Sequence, residues 1–265
     1  MVLFQEAEIV RNFEVKNDFY IIEIHTPEIA RLSLPGQFIM ISLSQESMDP
    51  LLPRAFSMAR RTRDTLVFIY KVIGRGTGIL AGKRPGDRLH IWGPLGNGFI
   101  LEQGEPVLIG GGTGIAPLID FGEELDRAGT GFTLVCGGRT EGDLKFMDEF
   151  RGAGSGGDGE GNAAADYVPY TEDGSLGERG YVTEFIENGG LNKKSVIYSC
   201  GPLGMLRRVG SLAEERGLKC YLSIETPMAC GLGTCLGCAV PMRNGGGYFK
   251  ACTDGPVFDS REVII

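Results

Sequence analysis

The chain has 265 residues, a formal charge of −8 and seven cysteines. This acidic balance argues against a nucleic-acid partner, whose phosphates are met by basic patches. The odd cysteine count and the opening MVLFQEAEIV, with neither a basic nor an apolar leader region, argue against a secreted, disulfide-stapled fold.

No uncharged apolar run is long enough to span a bilayer, so a cytoplasmic protein that does not enter the membrane is expected, with room for two domains and a small appendage. The first hundred residues read as short, β-branched and aromatic strands at 19–24, 37–43 and 65–72, separated by turn signals such as Leu34-Pro35-Gly36 and Arg84-Pro85-Gly86-Asp87. That spacing predicts an antiparallel β-barrel over residues 1–101. Within it, Pro53-Arg54-Ala55-Phe56-Ser57-Met58 sets a guanidinium beside an aromatic ring and a hydroxyl on a strand, a combination suited to a phosphate and a planar ring. Ile69-Tyr70-Lys71 then leads to a donor-rich loop, Gly74-Arg75-Gly76-Thr77-Gly78.

From about Glu105 the texture becomes an alternation of strand and helix, predicting a doubly wound parallel α/β domain over 102–222. Strands are expected at 107–109, 132–136, 166–170, 195–199 and 219–224, and helices at 115–128, 144–150, 182–188 and 203–216. The stretch 151–165 is too rich in glycine and too poor in apolar residues to pack, and reads as a flexible surface loop. Gly110-Gly111-Gly112-Thr113-Gly114-Ile115-Ala116-Pro117 takes a hydrophobic strand through a glycine turn into a helix start, where free N–H groups and the helix dipole suit a pyrophosphate. A tight strand-to-helix turn with no ligand is the plain alternative. Cys200-Gly201-Pro202 would lie at the same carboxyl edge of the sheet, where ligands of such folds bind.

The last segment, 223–265, carries Cys230, Cys235 and Cys238 in a C-x4-C-x2-C loop, with Cys252 returning as the fourth thiol. Three thiolates from one glycine-laced loop plus one returning suit a [2Fe-2S] cluster, whereas structural zinc usually takes two short knuckles. Zinc and disulfides are the alternatives. Cys136, Cys220, His25 and His90 read as ordinary strand residues, Asp173-Gly174-Ser175 as a turn. Glu141 and Asp143 are candidates for an adenosine ribose, with solvated loop charges as the plain alternative, and Arg139 leaves NADPH open.

The order R-x-F-S, G-x-G-T, G-P-x-G-x-x-F, G-G-G-T-G-x-A-P, C-G-P and C-x4-C-x2-C…C resembles the ferredoxin–NADP reductase superfamily. More narrowly, it resembles the electron-transfer subunits of NAD-dependent (class 1B) dihydroorotate dehydrogenases, in the residues Glu225-x-x-Met228-x-Cys230 and Ala251 to Phe258. The resemblance implies that Arg54, Ala55, Phe56, Ser57, Ile69, Tyr70, Lys71, Gly76 and Thr77 contact FAD. It also implies that Gly112, Thr113, Gly114, Cys200, Gly201 and Pro202 frame NAD and that the four cysteines ligate the cluster. Ser57 and Cys200 are expected to tune hydride transfer. Electrons would come from an FMN-containing dihydroorotate dehydrogenase catalytic subunit, in a heterotetramer with two copies of each chain, for pyrimidine biosynthesis. Related flavin subunits of NAD(P)H-dependent ferredoxin oxidoreductases and sulfhydrogenases share the domain order, although the ferredoxin oxidoreductases carry an aspartate where Cys230 stands. A redox-sensing iron–sulfur module is the non-enzymatic alternative.

Overall fold

The computed structural model describes residues 1–43, 49–150 and 165–265. Strands β1 (Leu3–Lys16), β2 (Phe19–His25), β3 (Phe38–Ser42), β4 (Arg54–Arg61), β5 (Thr65–Lys71) and β6 (Arg88–Leu95) close an antiparallel barrel in the order β1-β2-β5-β4-β3-β6. Two short helices, α1 (Pro27–Leu32) and α2 (Arg75–Ala81), sit in its connections. The β-branched and aromatic residues that mark these strands fill the interior: Ile22, Ile24, Ile39, Ile41, Met58 and Phe68 have no exposed surface. Burying side chains of this size stabilises by about 1.5–3 kcal/mol each.

Of the barrel strands, β1 carries no clear signal in the sequence and β6 is marked only at His90. β1 leaves Phe4 and Val10 facing solvent, and β6 contains Gly93 and Pro94, which otherwise mark a turn.

The second half is a seven-stranded sheet built from β7 (Glu105–Gly111), β8 (Phe132–Gly138), β9 (Ala165–Thr171), β10 (Glu178–Arg179), β11 (Ser195–Cys200) and β12 (Lys219–Ser223), completed by β15 (Val257–Asp259). Helices α3 (Ala116–Arg127), α4 (Thr183–Glu187) and α5 (Leu203–Glu215) pack on it. The order is β10-β9-β8-β7-β11-β12-β15, so the chain winds one way from β7 and resumes on its other side at β11. All pairs are parallel except β12 with β15. The helix expected at 144–150 is instead a run of 3₁₀ turns at Glu141–Glu149, where Gly142 and the inward-tied Asp143 favour the tighter winding. The flexible loop expected at 151–165 falls outside the described residues, apart from the backbone of Ala165 at the start of β9. Asp173 does make a turn, its carboxylate accepting the amide of Ser175 at 3.0 Å. Cys136 and Cys220 are core residues, at 0% and 1% exposure.

The C-terminal segment adds a hairpin of β13 (Ala239–Pro241) and β14 (Tyr248–Lys250) before its chain returns as β15 to the edge of the larger sheet. The expected division between residues 222 and 223 is therefore bridged by a strand pair.

Barrel and sheet are joined along β4 and α3 through charge. Arg61 Nε donates to both carboxylate oxygens of Asp120, at 3.0 and 2.8 Å, while its Nη1 donates to the Ser33 carbonyl at 2.5 Å and its Nη2 to Glu124 at 3.0 Å. Arg60 pairs with Glu123 at 2.7 Å and lies over the Phe150 ring, 4.7 Å from its centroid. Asp120 is fully buried, and that desolvation, opposed by Arg61, leaves its carboxyl raised to about 6.

Candidate functional site

A cleft of about 1430 Å³ runs between barrel and sheet. The β3–β4 register sets Ser57 opposite Phe38, and both line the cleft. Strand alternation turns Ala55 and Ser57 outward and Phe56 inward. The Phe56 ring is thus mainly committed to the barrel core, edge-on to Phe68 and Tyr70 at centroid distances of 6.3 and 6.1 Å. Arg54 Nη1 donates to the Leu52 carbonyl at 2.6 Å, and its guanidinium crosses the 74–77 loop so closely that a Cβ on Gly76 would stand 3.0 Å from Arg54 Nε. The Thr77 hydroxyl accepts the amides of Ile73 and Gly74 at 3.0 and 3.3 Å, fixing the entry to α2. Ile69, Tyr70 and Lys71 lie along the same wall.

The opposite wall is the switch point of the sheet, where the ends of β7 and β11 lie side by side with Gly110 paired to Cys200. Gly112, Thr113, Gly114, Gly201 and Pro202 all line it. The two loops touch: a Cβ on Gly114 would fall 2.6 Å from both Cα and N of Gly201. Only backbone surrounds that position, so Gly114→Ala must push the loops apart. The expected result is a rise of roughly tenfold in the KM for NADH, which corresponds to about 1.4 kcal/mol, at unchanged FAD content; an unchanged KM would remove this loop pair from the nucleotide site.

Cys200 departs from expectation. Its side chain has no exposed surface and is not among the groups lining the cleft. Burial pushes its thiol well above the ordinary range, with Glu225 adding to the shift. Such a thiol stays protonated and neutral, so the polar groups at this end of the cleft are those of Ser57, Ser223, Glu225 and Thr226. Glu225 opens onto the cleft yet lies deep among protein atoms, and that desolvation raises its carboxyl. Thr226 Oγ1 is buried without a hydrogen-bond partner, the state expected of a group that meets a ligand. Neither residue belongs to a glycine motif; Glu225 stood out in the sequence only through the Glu225-x-x-Met228-x-Cys230 pattern, not as a cleft residue, and Thr226 not at all.

Asp143 lines the cleft, but its carboxylate is already engaged by protein groups. It is 5% exposed, accepts the Arg139 amide at 3.1 Å and approaches Lys71 and Asn17 at 3.5 and 3.4 Å, joining sheet to barrel. Glu141 is absent from the cleft lining, whereas Arg139 and Glu172 are present.

Behind the barrel wall lies the cysteine loop. Its four sulfurs form two pairs, Cys230 with Cys235 at 3.4 Å and Cys238 with Cys252 at 3.2 Å. Among the described residues, no three cysteine, histidine or acidic side chains converge on one ion position. A pair of thiolates for each of two irons matches this division, whereas a single zinc requires four around one point. The inner pair is buried in the same apolar cluster as Phe38, Met40 and Leu95, whereas Cys235 is exposed and Cys230 half-buried. Burial raises the Cys230 thiol, but hydrogen bonds from Thr234, Leu232 and Cys235 outweigh it and bring the group down to about 6. Burial and the neighbouring Cys238 push Cys252 up to about 12. Gly231 and Gly233, at φ of 70° and 79°, supply the left-handed turns that wrap this loop; Leu236 adopts φ 57° with a side chain that is 65% exposed.

Residues 225–264 match the family described as the iron-sulfur cluster binding domain of dihydroorotate dehydrogenase B, and residues 108–210 match the oxidoreductase NAD-binding domain. The chain is 35% identical to the dihydroorotate dehydrogenase B (NAD(+)) electron transfer subunit of Desulforamulus reducens, over 98% of this chain and 97% of that one. It belongs to that family of electron transfer subunits. The member from Geobacillus thermodenitrificans is 36% identical over 89% of each chain. A solved structure of the NADH-dependent reduced ferredoxin-NADP oxidoreductase, described for flavin-based electron bifurcation, superposes with a TM-score of 0.84 at 29% identity, covering 97% of this chain and 89% of that one. A ferredoxin NADP+ reductase from Neisseria gonorrhoeae with bound FAD and NADP shares the fold, with a TM-score of 0.67 at 20% identity over 81% of this chain and 92% of that one. In this electron transfer subunit the cleft and the paired-thiol loop are parts of one chain, and Phe38, which lines the cleft, shares an apolar cluster with Cys238 and Cys252.

Proposed function

We propose that this chain is the electron transfer subunit of a dihydroorotate dehydrogenase, carrying electrons from a catalytic partner chain through a [2Fe-2S] cluster and FAD to NAD+, in pyrimidine biosynthesis. The feature that carries this reading is that one chain joins a cleft lined by Phe38 and the glycine loops to a cysteine loop whose buried pair, Cys238 and Cys252, shares an apolar cluster with Phe38 and whose other pair is the more exposed. FAD exchanges two electrons with a nicotinamide and single electrons with an iron–sulfur cluster, which is why such a chain needs all three groups.

The residues fit these groups. Arg54 and the amides at the start of α2 offer a phosphate one bidentate cation and several donors, and Ala55, Ser57, Ile69, Tyr70 and Lys71 give a flat wall beside them. The 112–114 and 201–202 loops offer backbone N–H groups to a second dinucleotide. Ser57 and Glu225 are the groups able to hold a proton or a hydrogen bond near the reacting ring; Cys200 acts there as packing. Cys230, Cys235, Cys238 and Cys252 hold the cluster, and the exposed Cys230–Cys235 side is where the partner docks. That partner carries FMN, and two copies of each chain form the working assembly in the cytoplasm. Among the described residues no helix is long and apolar enough to cross a membrane.

Anaerobic purification with the untagged partner, followed by addition of dihydroorotate and NAD+, tests the proposal. NADH formation that depends on both chains is expected. A complex that reduces ferredoxin from NADH but ignores dihydroorotate would instead support the second reading, an oxidoreductase of the kind represented by the 29%-identical structure.

A further inference from the structure

The thiol pairs differ in how they are held. Cys238 and Cys252 are each 2% exposed in the apolar core, and the Ala251 amide bonds the Cys238 carbonyl at 2.9 Å. The outer pair has no such support: among the described residues, the backbone from Glu225 to Gly237 makes no backbone hydrogen bond to another element. Its tie to the barrel comes from a side chain, Trp92 on β6, whose indole Nε1 donates to the Cys230 carbonyl at 3.0 Å. Trp92 is held from both sides in the barrel sheet, with Phe4 and Met40 as its cross-strand partners. Phe4 stacks on the indole at a centroid distance of 5.8 Å and an interplanar angle of 15°. Beneath the loop, a Cβ on Gly231 would stand 2.8 Å from the Met40 side chain, so the loop lies directly on the barrel.

We propose that Trp92 is a positioning residue for the outer half of the cluster site: its N–H fixes the Cys230 carbonyl, and through it the direction in which the Cys230 thiolate meets the metal. The proposal rests on the reading that the four cysteines hold a [2Fe-2S] cluster. A rigid strand of the flavin barrel then governs how tightly the more exposed iron is kept, while the buried pair depends on its own core. Partners that hydrogen-bond a ligating group directly alter metal affinity by about 10–100-fold when lost, which sets the upper range for one that acts through the ligand residue's own carbonyl.

Because the chain has a single tryptophan, the donor can be removed by itself. Biosynthetic replacement of tryptophan with its isostere bearing sulfur in place of the indole N–H keeps the ring and its packing; Trp92→Phe is the genetic counterpart. The full chain, loaded with FAD, iron and sulfide, is challenged with an iron chelator and its cluster followed by visible circular dichroism and electron paramagnetic resonance, with FAD content as the measure of folding. The expected result for the isostere is a loss of iron affinity of up to roughly 100-fold with a changed cluster spectrum. Phe4→Ala, which removes the stack and keeps the donor, is expected to retain iron far better. Iron retention and spectra matching the unaltered chain in the isostere protein would overturn the proposal, as would equal losses in the isostere and in Phe4→Ala, which would assign the effect to packing. If the unaltered chain itself takes up no iron and sulfide, the cluster reading falls and the proposal with it.

Discussion

Cys235→Ser is expected to stop electron delivery between this chain and its catalytic partner while NADH still bleaches the flavin. Cys235 is the exposed member of the outer thiol pair, 3.4 Å from Cys230. A serine hydroxyl is a far weaker ligand for a soft iron centre than a thiolate. Since changes one bond beyond the ligands already cost about 10–100-fold in metal affinity, loss of a ligand is expected to lower partner-dependent turnover by more than about 100-fold. The cleft proposed for flavin and nicotinamide has none of the four cysteines in its lining. Stopped-flow absorbance of the variant with NADH, beside a dihydroorotate assay of the complex, separates the two outcomes. Loss of flavin reduction by NADH in this variant would reverse the assigned order of the centres.

Asp120→Ala is expected to destabilise the fold by about 3–5 kcal/mol, because it leaves the buried guanidinium of Arg61 without its buried carboxylate partner. Arg61 is 11% exposed at its side chain and Asp120 0%, and few exposed ion pairs approach such a cost. In a thermal scan the change corresponds to a fall in Tm on the order of 10 °C. The double variant Arg61→Met with Asp120→Leu is expected to recover most of the loss, since it removes the stranded charge along with its partner. A single variant within about 1 kcal/mol of the parent would show that the charged seam between β4 and α3 contributes little. The pH dependence has a definite sign. Burial raises the Asp120 carboxyl from 3.8 to about 6, so the folded state binds its proton more readily than the unfolded chain does. This group's stabilisation is therefore fully present below 3.8 and is lost as pH rises through about 6. Acidifying from neutrality should thus widen the gap between the parent and Asp120→Ala, as measured by urea unfolding at several pH values.

The parts of the fold legible in the sequence were those where one physical rule governs a run of residues. Continuous apolar segments such as Val107–Ile109 gave the buried parallel strands, and the amphipathic stretches before and after them gave α3 and α5. The cysteine spacing was legible for the same reason, since a loop of fixed length must bring its thiols together. What escaped depended on contacts across the chain. β6 hides behind Gly93 and Pro94, whose turn-like character is absorbed by the barrel's closure. Phe56 and Cys200 were expected to face ligands because of their motifs; strand alternation turns the Phe56 ring mainly into the core while the residue still lines the cleft, and burial encloses the Cys200 thiol away from it. Asp143 looked like a loop charge until Lys71 and Asn17, both distant in sequence, were found beside it. Thr226, and the place of the motif residue Glu225 on the cleft, required the cleft itself.

The return of β15 to the edge of β12 bears on protein engineering. Exchanging iron–sulfur segments between relatives by cutting just ahead of Glu225 would split that antiparallel pair between two parents and mismatch Phe258 against Leu222. Ending the transplanted piece before Val257 would retain the native rung and avoid a bare strand, which is an invitation to self-association. Chimeras should therefore graft the span from Glu225 to Gly255 as an insert, leaving the recipient its own tail.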